Sequence, residues 1–338
     1  MKRTQISLAI LITLFVVGSV ACKKDEDETL YMTGDLTVQN LPLYSFQGKI
    51  YSVTHAGVTV PENPEYYWLC SWDKTDTLWG QSVTITLPSE IGKYSVTPYA
   101  RHTEYSTKSG YQYVTVVDTT FGASLTGISR GKGNITDSRD NQKYSYISVG
   151  DFDWFTKNLN WRGTGVPAQE SEVLALLYGS HYSWNEATGG VSGTGLAGGP
   201  QGVCPSGWRV PTNEDWENLT KTLNNNQELP FVDHWNGIGE KLTTEGTFND
   251  VRLWTYSPNN NHRDQIGWNS IPTGAYMSVE KSDKFIGFGE YAFYWSSGEK
   301  DQESAFYRYI YFDQSYFSFN AIEKDEFRAS VRCVRLKQ

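Results

Sequence analysis

The sequence has no apolar run of about eighteen residues, the length a membrane-crossing helix needs, so no such helix is expected. It holds only four cysteines and five histidines. No two cysteines stand at zinc-ligand spacing and the histidines form no close set, so no metal centre is expected. Cations are the minority charge, 29 Lys and Arg against 38 Asp and Glu, for a net charge of −9. That balance argues against nucleic acid as a partner, because such binding rests on neutralising phosphates. The segment Gly131-Lys-Gly-Asn-Ile-Thr-Asp137 lacks the Lys-Ser/Thr ending of a phosphate loop, which removes nucleotide binding and leaves no cofactor implied. A Gly-x-Ser-x-Gly nucleophile elbow is also missing, and with it the readable form of serine hydrolysis.

What is present begins at the N-terminus. Lys2 and Arg3 precede an apolar run from Ile6 to Val17, and small residues lead to Cys22. A run of that length fits an export signal and is too short to span a bilayer. The residues around Cys22, with Ala21 before it and Ser19 where Leu is usual, resemble a bacterial lipobox. Lys23-Lys24-Asp25-Glu26-Asp27-Glu28 resembles the surface-export signal of lipoproteins in the Bacteroides group. The resemblance implies lipidation at Cys22 after removal of 1–21, a flexible acidic tether over 22–32, and anchorage in the outer membrane facing the medium. The other readings are an ordinary secretory peptide with an incidental cysteine, and a tether with no export role. Removing 1–21 takes away Lys2 and Arg3 but no acid, so the mature charge becomes −11.

Aromatic residues make up 14% of the chain, with 12 Trp and 22 Tyr, enough both for β-rich cores and for surfaces that stack sugars or contact proteins. Between about Thr33 and Val117, β-formers alternate between Gly, Pro, Asp and Ser punctuation. Seven strands are predicted: Leu36 to Val38, Ile50 to Thr54, Val58 to Val60, Tyr66 to Trp72, Ser82 to Leu87, Gly92 to Arg101 and Tyr111 to Val117. Seven short strands without a helical period predict a β-sandwich over 33–118. Its Tyr/Trp strand and following segments resemble immunoglobulin-like or PKD-like modules, whose expected role is a spacer. Cys70 shares a period-two face with Tyr66, Trp68 and Trp72 and reads as a small buried hydrophobe.

A Gly/Ser/Asn/Asp-rich linker is expected over 119–134, followed by a mixed module over 135–338. There, Ser171 to Tyr178 reads as helical, and the strongest helix signal starts at Thr212, with Asp215 in the capping-box position and Trp216, Leu219 and Leu223 at helical spacing. Later strands are predicted at Tyr291 to Ser296, Ala305 to Phe312 and Ala329 to Leu336. Of the three mature cysteines, an oxidising compartment would pair two and leave one over.

An ordered set of segments runs through this half: Tyr144 to Gly150, Trp154 to Asn160, Leu177-Tyr-Gly with Trp184, Cys204-Pro-Ser-Gly-Trp-Arg-Val-Pro-Thr212 with Asp215-Trp216, Gly267-Trp-Asn-Ser-Ile-Pro-Thr-Gly274, Tyr294-Trp-Ser-Ser297 and Val331-Arg-Cys-Val334. Together they resemble the Fibrobacter succinogenes major paralogous domain, related in turn to the C-type-lectin-like and formylglycine-generating-enzyme superfold. The expected architecture is therefore multidomain, an all-β immunoglobulin-like sandwich followed by an α+β C-type-lectin-like domain. The resemblance implies that Cys204 and Cys333 are the structural pair, closing a loop of roughly 130 residues, and that strands near 294 and 331 share one central sheet. Oxidase chemistry would need a reactive cysteine pair, and the usual lectin calcium signatures are absent.

One loop stands out as a contact surface. Trp254-Thr-Tyr-Ser-Pro-Asn-Asn-Asn-His-Arg-Asp264 sets Asn260, His262, Arg263 and Asp264 beside Trp254 and Tyr256, the mixture of rings, amides and charges that a glycan or protein ligand would use. The leading expectation is a non-catalytic surface protein for adhesion or ligand binding. A structural or accessory subunit of a surface appendage or polysaccharide-handling complex is the second reading, and a glycoside-processing enzyme the third.

Overall fold

The computed structural model describes residues 30–59, 63–118, 125–129, 131–230, 233–279 and 282–338. The export signal, Cys22 and the charged run after it lie outside the described residues. The first ten strands are β1 (Leu30–Tyr31), β2 (Thr33–Gln39), β3 (Tyr44–Phe46), β4 (Ile50–Thr59), β5 (Glu65–Cys70), β6 (Asp73–Trp79), β7 (Ser82–Thr86), β8 (Gly92–His102), β9 (Tyr105–Ser109) and β10 (Gln112–Val117). They form two sheets. One has the order β2-β4-β7; in the other, β8 pairs with β5 on one side and with β9 and β10 on the other. Val38, Val53 and Ile85 from the first sheet meet Trp68, Cys70, Val96, Val114 and Val116 from the second in one core. The alternation read from sequence is thus the inward face of each strand. Cys70 is a buried free thiol whose pKa burial pushes up to about 11, with Asp73 and Asp76 adding to the effect.

Three differences from the sequence reading have physical causes. Leu30 and Tyr31, assigned to the tether, pair in parallel with Tyr105 and Ser106, so the sheet begins before residue 33. The predicted break between Thr54 and Val58 is not a break: β4 runs through it, and Gly57 faces Gly34 at a register shift of the β2–β4 ladder, with φ of 92° and 79°. A Cβ on Gly34 would lie 2.1 Å from the Gly57 oxygen, so these glycines mark a bulge rather than a turn. β6 escaped prediction because it is an edge strand, exposed along most of its length and charged, with no apolar alternation to detect.

The described residues of the expected linker, 125–129 and 131–134, include paired strands. Leu125–Thr126 pairs with Phe248 and Thr247, and Gly133–Thr136 pairs with Tyr146 to Lys143. Asn269 clamps Ser129 from both sides, Oδ1 accepting from its N–H at 2.8 Å and Nδ2 donating to its carbonyl at 2.7 Å. Polar composition did not prevent pairing, because the ladder uses backbone groups.

In the C-terminal module the two ends of the chain segment meet. Phe152–Phe155 pairs with Val334–Leu336 and also with Lys143–Val149. Further sheets hold Ser180–Ser183, Phe327–Ala329 and Ala275–Val279, and separately Tyr291–Glu299, Ser304–Tyr311 and Phe317–Glu323. The helix Asn213–Leu223 starts at Thr212, whose hydroxyl accepts from the Asp215 N–H while the Asp215 carboxylate accepts from the Thr212 N–H. The helix Glu172–Tyr178 is capped by Ser171. The predicted single strand from Ala329 to Leu336 is two pieces, Phe327–Ala329 and Val334–Leu336. Between them Arg332 and Cys333 turn into the core, so Ser330 meets Tyr294 through one isolated bridge instead of a shared ladder. Cys333 is disulfide-bonded to Cys204, and both are fully buried.

Candidate functional site

The two modules share an apolar cluster. Val117, with Tyr44 and Phe46 at its margin, packs with Leu174, Leu177, Tyr178, Phe248 and Ile271. Beside this joint lies a cleft of about 740 Å³, within the range of small-molecule sites. The sandwich supplies Tyr44, Lys93 and Thr115; the C-terminal module supplies Tyr178, the Phe248–Tyr256 segment and Phe288. Burial raises the pKa of the Tyr44 and Tyr178 phenols, so both rings stay neutral walls.

The local sequence explains how the segment is presented. Thr247–Phe248 and Val251–Arg252 form a hairpin. Its two turn residues, Asn249 and Asp250, have φ of 49° and 61°, the left-handed conformation that Asn and Asp tolerate best after Gly and that two-residue hairpins require. Asn249 lines the cleft, and among the described residues neither its Oδ1 nor its Nδ2 has a hydrogen-bond partner although both atoms are buried. Leaving a buried amide unpaired costs on the order of 1–3 kcal/mol, so such a group calls for an explanation. Arg252 lies over the Tyr256 ring at 5.2 Å and Lys93 over the Tyr113 ring at 4.3 Å.

The predicted contact loop divides. Trp254 and Tyr256 both line the cleft, Trp254 3% exposed with its indole N–H donating to the Ser270 carbonyl at 3.0 Å, and Tyr256 68% exposed. Asn260 is buried instead: its Nδ2 donates to the Gln314 carbonyl and its Oδ1 accepts from the His262 N–H. His262 stacks on Trp254 at 5.5 Å, and burial, helped by nearby Arg252, lowers its pKa to about 4. Asp264 Oδ1 accepts from the N–H groups of Trp268 and Asn269, and burial raises its carboxyl pKa. Arg263 is exposed and faces Glu240 at 3.7 Å. Asn260 and Asp264 therefore brace the loop and the 268–270 segment through hydrogen bonds, while His262 packs on Trp254 through its ring face, its two ring nitrogens buried without a hydrogen-bond partner among the described residues. Asn249, Arg252 and Lys93 were missed. The hairpin was readable, since Asn-Asp stands between Phe248 and Val251, but nothing local in the sequence brings Lys93 from the sandwich to the same cleft. Among the described residues no group of three His, Cys, Asp or Glu could hold a metal ion.

The sequence model of the Fibrobacter succinogenes major domain matches residues 147–335. The chain belongs to this family. No curated protein matches the sequence. Among solved structures, the Yersinia pseudotuberculosis adhesin InvE is similar at 12% identity and a TM-score of 0.22, over 89% of this chain and 70% of that one; at this score the likeness says nothing of fold or function.

The segments that mark the Fibrobacter succinogenes major domain are scaffold in this chain. Arg209 pairs with buried Asp215 at the helix start. Trp295 Nε1 donates to the Tyr182 carbonyl at 2.7 Å and Trp184 Nε1 to the Ser296 carbonyl at 3.0 Å. Arg332 is fully buried, donating from Nε to Asn158 Oδ1 at 2.6 Å, from Nη1 to the carbonyls of Phe155 and Trp268, and from Nη2 to that of Asn269. Of the signature segments only Leu177-Tyr-Gly reaches the cleft, through Tyr178, and the sandwich wall of the cleft lies outside the matched residues.

Proposed function

We propose that this protein is a non-catalytic lipoprotein of the outer membrane, lipidated at Cys22, which carries an immunoglobulin-like sandwich and a C-type-lectin-like module outward to bind a glycan or protein ligand. Adhesion is the function this reading supports best. The observation that carries it is the cleft between the modules, where a buried Asn249 amide with no hydrogen-bond partner among the described residues and the exposed Tyr256 ring sit together. A ligand hydroxyl or amide would satisfy that side chain, and Tyr256 would supply contact area.

The test combines a broad glycan array with pull-down from intact cells, using the full-length protein and its Asn249→Ala and Tyr256→Ala variants. Saturable binding to a purified ligand that both variants weaken, with unchanged folding, is the expected outcome. Unchanged binding in both variants rejects the cleft. Stoichiometric co-purification with membrane-complex proteins and no ligand binding would favour a structural subunit instead. Protease protection or labelling of intact cells tests the surface location.

A further inference from the structure

The cleft's charges identify a narrower class of ligand. Its lining holds three charged side chains, Lys93, Asp250 and Arg252, and none of them forms an ion pair among the described residues. In a chain of net charge −9, a cleft with two free cations and one acid runs against the general field. The cations come from different modules, Lys93 from β8 and Arg252 from the 247–252 hairpin. Each lies over an aromatic ring, Tyr113 and Tyr256 respectively, which holds the side chain in place without neutralising it. A guanidinium suits the two oxygens of a carboxylate, and an ammonium adds a point charge.

We infer that the cleft takes an acidic saccharide, a uronate-containing oligosaccharide whose carboxylate faces Arg252 and Lys93 while its ring hydroxyls bond the Asn249 amide. This rests on the cleft being the binding site. An amide with a free donor and a free acceptor matches hydroxyl groups, which both give and accept hydrogen bonds. A peptide fits less well. Peptide addition to a sheet edge needs a run of unpaired backbone groups, and among the described residues the edge strands bordering the cleft are short, Tyr44–Phe46 and Val251–Arg252. Asp250 is exposed at the hairpin tip, and it would repel a second carboxylate, so the class favoured is one with isolated rather than dense negative charge.

The test uses the full-length protein against uronate oligosaccharides of pectic, alginate and glycosaminoglycan type, with methyl-esterified oligogalacturonate and poly-glutamate as controls, by titration calorimetry at low and high salt. At least one acid saccharide is expected to bind, with a loss of about tenfold or more on methyl esterification. Lys93→Met and Arg252→Met should each weaken the acid form severalfold and leave the ester unchanged, while Asn249→Ala weakens both. Thermal unfolding of each variant establishes that it folds. Equal binding of acid and ester, with loss in Asn249→Ala, would overturn the acidic class and leave the cleft reading standing. Binding of poly-glutamate as strong as that of any saccharide would overturn the saccharide, and binding of no probe would overturn the inference altogether.

Discussion

Replacing Arg332 tests whether the family's Val-Arg-Cys-Val segment is a structural clamp. Its guanidinium is fully buried, faces no carboxylate at ion-pair distance among the described residues, and spends its N–H groups on Asn158 Oδ1 and three backbone carbonyls, between the Trp268 and Tyr294 rings. Burial lowers its pKa from the usual range, partly offset by Tyr294 and Asp264. Hydrogen bonds from a charged group contribute about 1.5–3 kcal/mol each, and they are not additive within one side chain. Removing one member of such a buried network costs about 3–5 kcal/mol, since the carbonyls of Phe155, Trp268 and Asn269 would lose their donor without gaining water. Arg332→Met is therefore expected to destabilise the C-terminal module by about 4 kcal/mol. Arg332→Lys keeps the charge but replaces a planar fork with a point, so about 2–3 kcal/mol should still be lost. Urea unfolding followed by near-ultraviolet circular dichroism, with the disulfide intact, measures both. The same variants should weaken cleft binding, because the Trp268–Ser270 segment that Arg332 holds also accepts the Trp254 indole hydrogen bond. A lysine variant within about 0.5 kcal/mol of the parent would show that the carbonyls find other partners and would refute the clamp.

Three further outcomes are expected. Cys204→Ser with Cys333→Ser opens a loop with a sequence separation of 129, for which chain entropy gives about 4–5 kcal/mol, read as a lower urea midpoint that reducing agent no longer shifts. His181 is fully buried, with Nε2 shared between Gly274 O and Thr273 Oγ1 and Nδ1 unpartnered, and burial lowers its pKa from 6.5 to about 4. The unfolded chain thus takes up that proton first, so stability should be complete above about pH 6.5 and fall by about 3 kcal/mol toward pH 4; His181→Gln should flatten this slope in pH-dependent urea titrations. Lys324 Nζ is held by Glu299 Oε1, the carbonyls of Asp301 and Gln302, and the Trp184 ring, so Lys324→Met should cost about 3 kcal/mol by thermal or urea unfolding, well beyond an exposed pair.

How much of this was legible depended on whether the signal was local. The capping box at Thr212 and Asp215 needs only four neighbouring residues, and it stands as read. The inward faces of β2, β5, β8 and β10 follow from alternation along each strand. The contact loop shows the limit. Trp254 and Tyr256 could be singled out as rings, but whether Asn260, His262 and Asp264 point outward depends on partners at Gln314, Trp254 and Trp268, and Gln314 stands fifty-four residues from Asn260. A polar-rich loop reads as solvated unless those partners are known. The clamp on Ser129 was out of reach for the same reason, since it is made by Asn269, which lies 140 residues away. Arg332 carried no signal of burial at all, because an arginine in a strand pattern ordinarily faces water.

The joint between the modules decides what the sandwich is for. Val117 closes β10 with no exposure, and Tyr44 and Phe46 from β3 lie against the helix Glu172–Tyr178 and the hairpin residue Phe248. Fully burying one such side chain contributes about 1.5–3 kcal/mol, so even a few of them outweigh the freedom that a flexible hinge would gain. A pure spacer has no need of this contact, because a tether holds a module away from a surface whether or not the two touch. The packing instead fixes Lys93 and Tyr44 against Arg252 and Asn249, residues some 150 to 200 positions apart, as walls of one cleft. The sandwich is thus half of the candidate site as well as its support, and separating the modules would remove one cation and one aromatic wall while leaving each core intact.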